Sequence, residues 1–420
     1  MGNRVIALMD ADAFFAACER TVDPRLAGRA VVVVADAKRR SVVLAASYEA
    51  RPHGVRTGMV LHEARKLCPQ LAVVESHPPL YLHLSAEIEK ILRDFSDRVE
   101  MASVDEAYLD LTGVLDYFRL SALDLCRMAQ LRIQRELGLP VTFGVGPNKL
   151  LAKLLADLAK PEGIREIRTV PDASGDPSPV EALLETMPVE KLCGIGSRLR
   201  EALAEMGVRT AGELGRAPLQ ALTARFGVIG WTLKRMGQGL DDRPVLACAS
   251  GPEEVKSVGH AHTLAADTSN PLVVRSFLFF LSEKVAARLR RYGLAGRVAH
   301  VTIRTAGFET FGRQRKMSVP ASSGPQIYGV ARGLLDELWP CPRTPLRLIG
   351  VSVSDLSARS AQPPLLAAER RRLELDDVVD QINARFGRWT IRPAAQIPAE
   401  RFGILTPPVP PKLGPLHRTL

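Results

Sequence analysis

The chain is poor in aromatic side chains: Phe, Trp and Tyr make up 5% of its 420 residues. That argues against a surface of stacked rings gripping single-stranded nucleic acid by its bases. Its six cysteines, Cys18, Cys68, Cys126, Cys193, Cys248 and Cys341, are scattered without a CxxC pair, which argues against structural zinc and gives no disulfide framework. No apolar run reaches the length that spans a bilayer. Met1-Gly2-Asn3-Arg4 leads straight into an apolar stretch with no signal-peptide pattern, and Ile6 stands where a myristoylation motif has Ser or Thr. A soluble, cytoplasmic chain with no membrane partner is expected. Acidic residues are the minority, 46 against 56 Lys and Arg, so the formal net charge is +10. An excess of that sign favours a polyanion, nucleic acid first. The length suits two to four domains, each with its own core.

What the chain does have is two acidic clusters set against apolar runs. Ala102–Asp110, Ala-Ser-Val-Asp-Glu-Ala-Tyr-Leu-Asp, reads as a strand in which Val104, Ala107 and Leu109 pack while Asp105 and Glu106 interrupt the run. Two like charges about 4 Å apart repel by roughly 4 kcal/mol at an effective dielectric of about 20, so a cation is expected between them. Oxygen ligands of this kind suit Mg²⁺ or Mn²⁺. Near the start, Val5–Asp12 is an apolar strand ending in Asp10-Ala11-Asp12, and strand alternation puts Asp10 and Asp12 on one face. If the two strands pair, three or four carboxylates converge as in two-metal nucleotidyl transfer. The competing reading is of turn acids facing water.

Along the chain, a strand and helix (1–20) are followed by a small hairpin, Arg29–Ala35 and Ser41–Ser47, and a glycine- and proline-bearing loop at 48–59. Leu61–Leu67, Tyr81–Phe95, Leu120–Leu137 and Leu150–Ala159 have helical spacing, and Leu71–Val74, Arg98–Met101 and Val141–Val145 read as strands. Strand–helix–strand–strand–helix–strand is a ferredoxin-like pattern, here with an insertion at about 20–76. Asp172–Pro179 reads as a linker. Pro188–Val208 then reads as two helices around Gly194-Ile195-Gly196, a helix-hairpin-helix whose turn amides, with Ser197 and Arg198 beside them, suit a DNA phosphate. A third module has strands at Val255–Thr263, Gly296–Thr305, Phe308–Val319 and Leu346–Asp355 and helices at Pro271–Arg291 and Ser323–Leu338. Residues 243–347 hold 15 Lys and Arg against 7 Asp and Glu, a net +8 and the footprint of a backbone-binding surface. Leu373–Phe386 reads as an amphipathic helix in a proline-rich tail.

These motifs, in this order, resemble the Y-family (translesion) DNA polymerases, most closely the DNA polymerase IV, or DinB-type, branch. The resemblance covers about residues 4–356. It is carried by Leu8-Met9-Asp10-Ala11-Asp12-Ala13-Phe14-Phe15-Ala16, Ala46-Ser47-Tyr48-Glu49-Ala50-Arg51, Ser103–Asp110, Gly144-Val145-Gly146-Pro147-Asn148-Lys149 and Ala159-Lys160-Pro161. It implies an α+β multidomain, right-hand polymerase. Residues 1–19 and 77–167 would be a ferredoxin-like palm, 20–76 small fingers and 168–243 a helix-hairpin-helix thumb. An α/β little finger (244–356) and a C-terminal tail (357–420) would follow. The implied activity is template-directed, error-prone addition of deoxynucleotides to a primer 3′-hydroxyl, with low processivity, by a monomer associated with the nucleoid.

The resemblance also implies the site. Asp10, Asp105 and Glu106, with the Ala11 carbonyl, would hold two Mg²⁺ ions, or Mn²⁺ in their place, and Asp12 would support them. Tyr48, Arg51 and Lys160 would contact the triphosphate. Phe15 would be the steric gate against ribonucleotides, with Phe14 beside it in the core. Gly194, Gly196, Ser197 and Arg198 of the thumb and Lys256, Arg304, Arg313, Arg315 and Lys316 of the little finger would meet DNA. Gln362, Leu365 and Leu366 are similar to a sliding-clamp docking peptide, without its usual final aromatic. Ala45 stands where many relatives carry a hydroxyl that touches the triphosphate. Two other readings are a catalytically silent accessory protein, which has no need of the three carboxylates, and a nucleotide cyclase, which leaves the helix-hairpin-helix and the basic module unexplained.

Overall fold

The computed structural model describes residues 4–37, 41–167, 178–246, 255–341, 343–359, 367–387 and 390–397. It divides into two compact units, Met1–Gly251 and Pro252–Leu420.

In the first unit, β1 (Ile6–Ala11) leads into α1 (Phe14–Val22). The insertion follows, with β2 (Val31–Val34), β3 (Val43–Ala46), α2 (Leu61–Leu67) and β4 (Ala72–Glu75). The chain returns through α3 (Pro78–Arg93), β5 (Val99–Met101), β6 (Glu106–Asp110), α4 (Val114–Phe118), α5 (Ala122–Leu137), β7 (Val141–Gly146), α6 (Lys149–Ala159) and β8 (Ile164–Glu166). The main sheet has the order β5-β6-β1-β7-β8, with β1 antiparallel to both neighbours and β8 added parallel to β7. Without β8, the first strand lies inside and the two crossover helices are α3 and α5, which is the ferredoxin-like arrangement.

Every residue of β1 is buried because both faces of the sheet are covered. Ala7, Met9 and Ala11 pack into the cluster containing Ile88, Leu92, Leu125 and Ile133 of α3 and α5. Ile6 and Leu8 face Ala152 and Ala156 of α6. Strand alternation therefore turns Asp10 toward α6. The close approach of α6 depends on Gly144 in β7, where a Cβ would lie 2.1 Å from the Ala152 carbonyl oxygen and 2.2 Å from the Ala156 nitrogen.

The insertion forms a separate three-stranded sheet, β3-β2-β4, over α2, with Val32, Val34, Val43, Leu61 and Ala64 in its core. The helical module contains α7 (Pro179–Thr186), α8 (Ser197–Glu205), α9 (Ala211–Arg216), α10 (Leu219–Phe226) and α11 (Ile229–Gly237). It shares its core with Leu150, Leu151 and Leu154 of α6. Helix α7 starts at Pro179, where the linker was expected to end, behind a capping box of Ser178 and Glu181. The chain near 244 stays with this unit: Val245 packs with Ile6 and Leu8, and the Leu246 N–H donates to Glu100 Oε2 at 2.6 Å.

Two expectations about local structure need correction. The acidic stretch is not one strand: Ala102–Asp105 is a turn, closed by the Ala102 and Ser103 N–H groups on the Glu106 carbonyl, and β6 starts at Glu106. A tight turn relieves the burial cost that a mid-strand Asp-Glu pair would carry. In the helix-hairpin-helix, the first helix is a single 3₁₀ turn, Val189–Lys191.

The second unit runs β9 (Ser257–Thr268), α12 (Pro271–Arg291), β10 (Leu294–Thr305), β11 (Thr310–Ala321), α13 (Gly324–Leu338), β12 (Leu346–Ala358) and α14 (Ala367–Phe386). Its antiparallel sheet has the order β11-β10-β12-β9, so its first strand is at an edge, unlike the palm's. α12 and α13 cover one face over Val258, Val301, Ile303, Ile349, Val351 and Val353. α14 docks by charge: Arg290, its side chain buried, donates to both Asp380 oxygens at 2.7 and 2.8 Å, and Arg359 reaches Asp377 at 3.0 Å. Beside Arg290, burial and the nearby Asp376 push the Glu283 carboxyl up to about 7, with Asp380 adding to the rise and Arg290 and Arg372 opposing it.

A carboxyl raised in the folded state favours folding fully below its unfolded value, and that contribution is lost as pH climbs through the folded value. From about pH 4.5 to 7 the loss is about 3 kcal/mol at most. Glu283→Gln is therefore expected to increase hydrogen-exchange protection of α12 relative to wild type at pH 8 and to leave it unchanged at pH 4.5. Equal protection at pH 8 contradicts this.

Candidate active site

Asp10 is the penultimate residue of β1 and lies directly opposite Glu106 across the β1–β6 ladder. The next backbone bond, from the Ala11 N–H to the Asp105 carbonyl at 2.9 Å, brings the turn against the strand end. The three expected ligands are thus neighbours, although two come from opposite strands and one from a turn. Like charges placed opposite one another destabilise a sheet unless countered.

Two lysines counter them. Lys153 Nζ lies 3.0 Å from Asp10 Oδ2, 2.8 Å from Glu106 Oε1 and 3.2 Å from Asp157 Oδ1. Lys160 Nζ lies 2.7 Å from Asp10 Oδ1. Burial raises the Glu106 pKa, Asp10 and Asp105 add to the rise, and Lys153 opposes it. Burial alone would lower the Lys153 pKa, but its bonds to Glu106 and Asp10 raise it. Among the described residues, no three His, Cys, Asp or Glu side chains are gathered as a metal-ligand cluster. Asp10 and Glu106 are instead ion-paired with the two ammonium groups. Two cationic groups thus already sit against these carboxylates, and hard oxygen donors of this kind suit a divalent ion.

Asp12 does not join this cluster. The chain leaves β1 at Ala11, and buried Asp12 accepts bonds from Tyr48 Oη at 2.8 Å, Thr142 Oγ1 at 2.7 Å and the Glu162 N–H at 2.9 Å. It fastens the insertion to the palm. Tyr48 is thereby committed to Asp12, with burial and that carboxylate raising its pKa. Exposed Arg51 stacks on the Tyr48 ring, its Cζ 3.9 Å from the centroid. Phe14 is buried and Phe15 partly buried.

Farther off, Gly194, Gly196, Ser197 and Arg198 are all exposed around a turn pinned from beneath by Leu192 and Ile195. Gly196 has φ −83°, and a Cβ there would meet nothing within 4 Å, so its own fold makes no demand for glycine. In the second unit the basic candidates divide between sheet faces. Arg313 and Arg315 pair with Val301 and Ala299 on the helix-covered face, and both guanidinium groups bond Glu337 of α13. Arg304 and Lys316 point to the opposite face, and Lys256 is exposed just before β9. Gln362, Leu365 and Leu366 lie outside the described residues.

Sequence reasoning missed Lys153. Its signal was a charged stripe, Lys153, Asp157 and Lys160 at i, i+4 and i+7, on a helix that after Lys149 is otherwise leucine and alanine.

A ferredoxin-like palm with acids at the end of its inner strand, interrupted by a small β insertion and followed by a helix-hairpin-helix, defines a right-hand nucleotide polymerase. The impB/mucB/samB family model matches residues 9–157, and the model of that family's C-terminal domain matches residues 255–365. DNA polymerase IV of Pelotomaculum thermopropionicum is 38% identical over 394 residues, 93% of this chain and 95% of that protein. DNA polymerase IV 2 of Bacillus subtilis is 33% identical over 95% of this chain and 96% of its own length. The Y-family DNA polymerase chimera Dbh-Dpo4(243-245)-Dbh superposes with a TM-score of 0.72 at 27% identity, covering 84% of this chain and 99% of the chimera. An insertion ternary complex of Dbh DNA polymerase matches over the same shares with a TM-score of 0.54. The chain belongs to the Y-family of DNA polymerases, in the DNA polymerase IV branch. It is a translesion DNA polymerase, and nothing found favours the silent accessory reading. Polymerases of this family are metal-dependent. Among the described residues, no helix is long and apolar enough to cross a membrane.

Proposed function

We propose that Asp10, Asp105 and Glu106, with the Ala11 carbonyl, hold two Mg²⁺ ions during nucleotidyl transfer, with Mn²⁺ able to replace them. The observation that carries this is the pair of ammonium groups on Asp10 and Glu106. When bound, the ions supply a lowered pKa at the primer 3′-hydroxyl and charge neutralisation at the leaving pyrophosphate. The carboxylates would orient the attacking and leaving oxygens. Tyr48, Arg51 and Lys160 would bind the triphosphate, Tyr48 on turning its hydroxyl from Asp12, Arg51 by its planar fork and Lys160 as a point charge released from Asp10. Phe15 would close the space beneath C2′ of the sugar. The Gly194–Arg198 turn would bind a DNA phosphate through amides that no side chain obstructs, and Lys256, Arg304 and Lys316 would contact the duplex backbone. Arg313 and Arg315 would join them on leaving Glu337. The chain would act as a cytoplasmic monomer, with Gln362–Leu366 as its clamp-docking segment.

On this reading Lys153 competes with the incoming ion. Calorimetric titration of DNA-free protein with Mn²⁺ is expected to show Lys153→Met binding about tenfold more tightly than wild type, a gain of ~1.4 kcal/mol. The melting temperature without metal should fall, because three carboxylates lose a counter-ion. Unchanged affinity would remove Lys153 from the competition. No Mn²⁺ binding by wild type, or binding left unchanged in Asp10→Asn, would sink the metal assignment itself.

A further inference from the structure

We propose that Tyr81 is a positioning residue for sugar selection, holding the Phe15 ring at a set angle through a stack that Glu19 and His77 secure from behind. The proposal rests on Phe15 being the steric gate. Phe15 and Glu19 are one turn apart on α1, and His77 and Tyr81 are one turn apart at the start of α3, so each pair forms one stripe facing the other. The Phe15 and Tyr81 rings lie nearly parallel, 17° between planes and 4.5 Å between centroids. Phe14 packs against both at tilted angles. Buried Tyr81 donates its hydroxyl to Glu19, and His77 Nδ1 lies 2.9 and 3.0 Å from the two Glu19 oxygens.

The carboxylate is the telling part. Glu19 is 2% exposed, on a helix whose Phe14, Ala16, Ala17 and Cys18 belong to the apolar core with Tyr81. A buried carboxylate costs several kcal/mol before its partners compensate, so packing alone would favour an apolar residue there. What it adds is direction. A phenol tethered at its far end cannot tilt or slide without breaking the bond, and a ring stacked on it is held likewise. On the other side, Ala13 enters α1 in the left-handed region, φ 48°, which fixes the backbone before Phe14 and Phe15. Excluding one hydroxyl group requires the gate to hold its place within about 1 Å. Phe15 is only partly buried at the edge of the core, so the stack adds to the hold its own packing gives.

The test measures kcat/KM for a dNTP and the matching rNTP in single-nucleotide primer extension, beside melting temperatures. Phe15→Ala is expected to lower the dNTP preference about 100-fold, Tyr81→Leu about tenfold and Glu19→Gln or Tyr81→Phe about threefold, chiefly through a lower KM for the rNTP. The dNTP values of the three Tyr81 and Glu19 variants should stay within about threefold of wild type. Tyr81→Phe keeps the ring and so tests the tether even if Tyr81→Leu does not fold. A collapsed preference in Phe15→Ala with wild-type preference in folded Tyr81 variants overturns the proposal and leaves the gate standing. An unchanged preference in Phe15→Ala removes the gate and the proposal together. Parallel losses for both nucleotides, tracking melting temperature, mark Tyr81 as structural only and also overturn it.

Discussion

Primer extension by Asp105→Asn/Glu106→Gln is expected to fall by about four orders of magnitude in kcat/KM, ~5 kcal/mol of transition-state stabilisation. The amides keep the size and shape of the carboxylates but not their charge, and charge is what a divalent ion and a developing oxyanion answer to. The fold should survive, because Lys153 keeps Asp10 and Asp157 as partners and the Ala11–Asp105 backbone bond is untouched. Primer–template affinity should also survive, since the proposed backbone contacts lie elsewhere. The measurements are single-nucleotide extension, a melting curve and a filter-binding isotherm on one preparation. Extension within tenfold of wild type would refute the ligand assignment. Lost extension together with lost DNA binding would indicate a damaged fold and not a missing metal site.

The second large effect concerns a glycine. Gly144→Val is expected to destabilise the first unit by about 3 kcal/mol or more, lowering its melting temperature by roughly 6–12 °C. The added Cβ would overlap backbone atoms of Ala152 and Ala156, and backbone cannot rotate away as a side chain can. Helix α6 would have to lift from β7. It also carries Lys153, ends at Lys160, and gives Leu150, Leu151 and Leu154 to the helical module. Activity should therefore fall alongside stability. Gly196→Ala is the contrast: its Cβ meets open space, so stability should hold while DNA binding weakens. A melting temperature for Gly144→Val within 2 °C of wild type, read by calorimetry, would show that the helix has room to move.

Residue order and type alone settled a good deal. The helices at Leu61–Leu67 and Pro271–Arg291 appear at the bounds their spacing set, and the ferredoxin-like pattern with its insertion is the palm that formed. Periodicity of apolar residues is local information, and long amphipathic segments carry enough of it to fix their own conformation. The carboxylates were legible for a related reason: charges beside apolar strands are costly and so are conspicuous. Local information also misled where a turn competed with a strand. Ala102–Asp105 alternates well enough to look extended, but the ladder to β5 closes it into a hairpin.

Which side chains meet across the fold was decided only in three dimensions. Lys153 lies 47 residues from Glu106 and 143 from Asp10 in sequence, and nothing along α6 says that its charged stripe looks onto the end of β1. Asp12 seemed paired with Asp10 by strand alternation, until the end of β1 turned it toward Tyr48 and Thr142. Arg313 and Arg315 were counted in a basic surface, but strand register set them on the face shared with Glu337. Sequence thus determined the elements, the acids and the class of chemistry, because these depend on residue type and spacing over a few turns. Tertiary structure decided each acid's partner, because an ion pair depends on distance in space, which strand order and helix docking set.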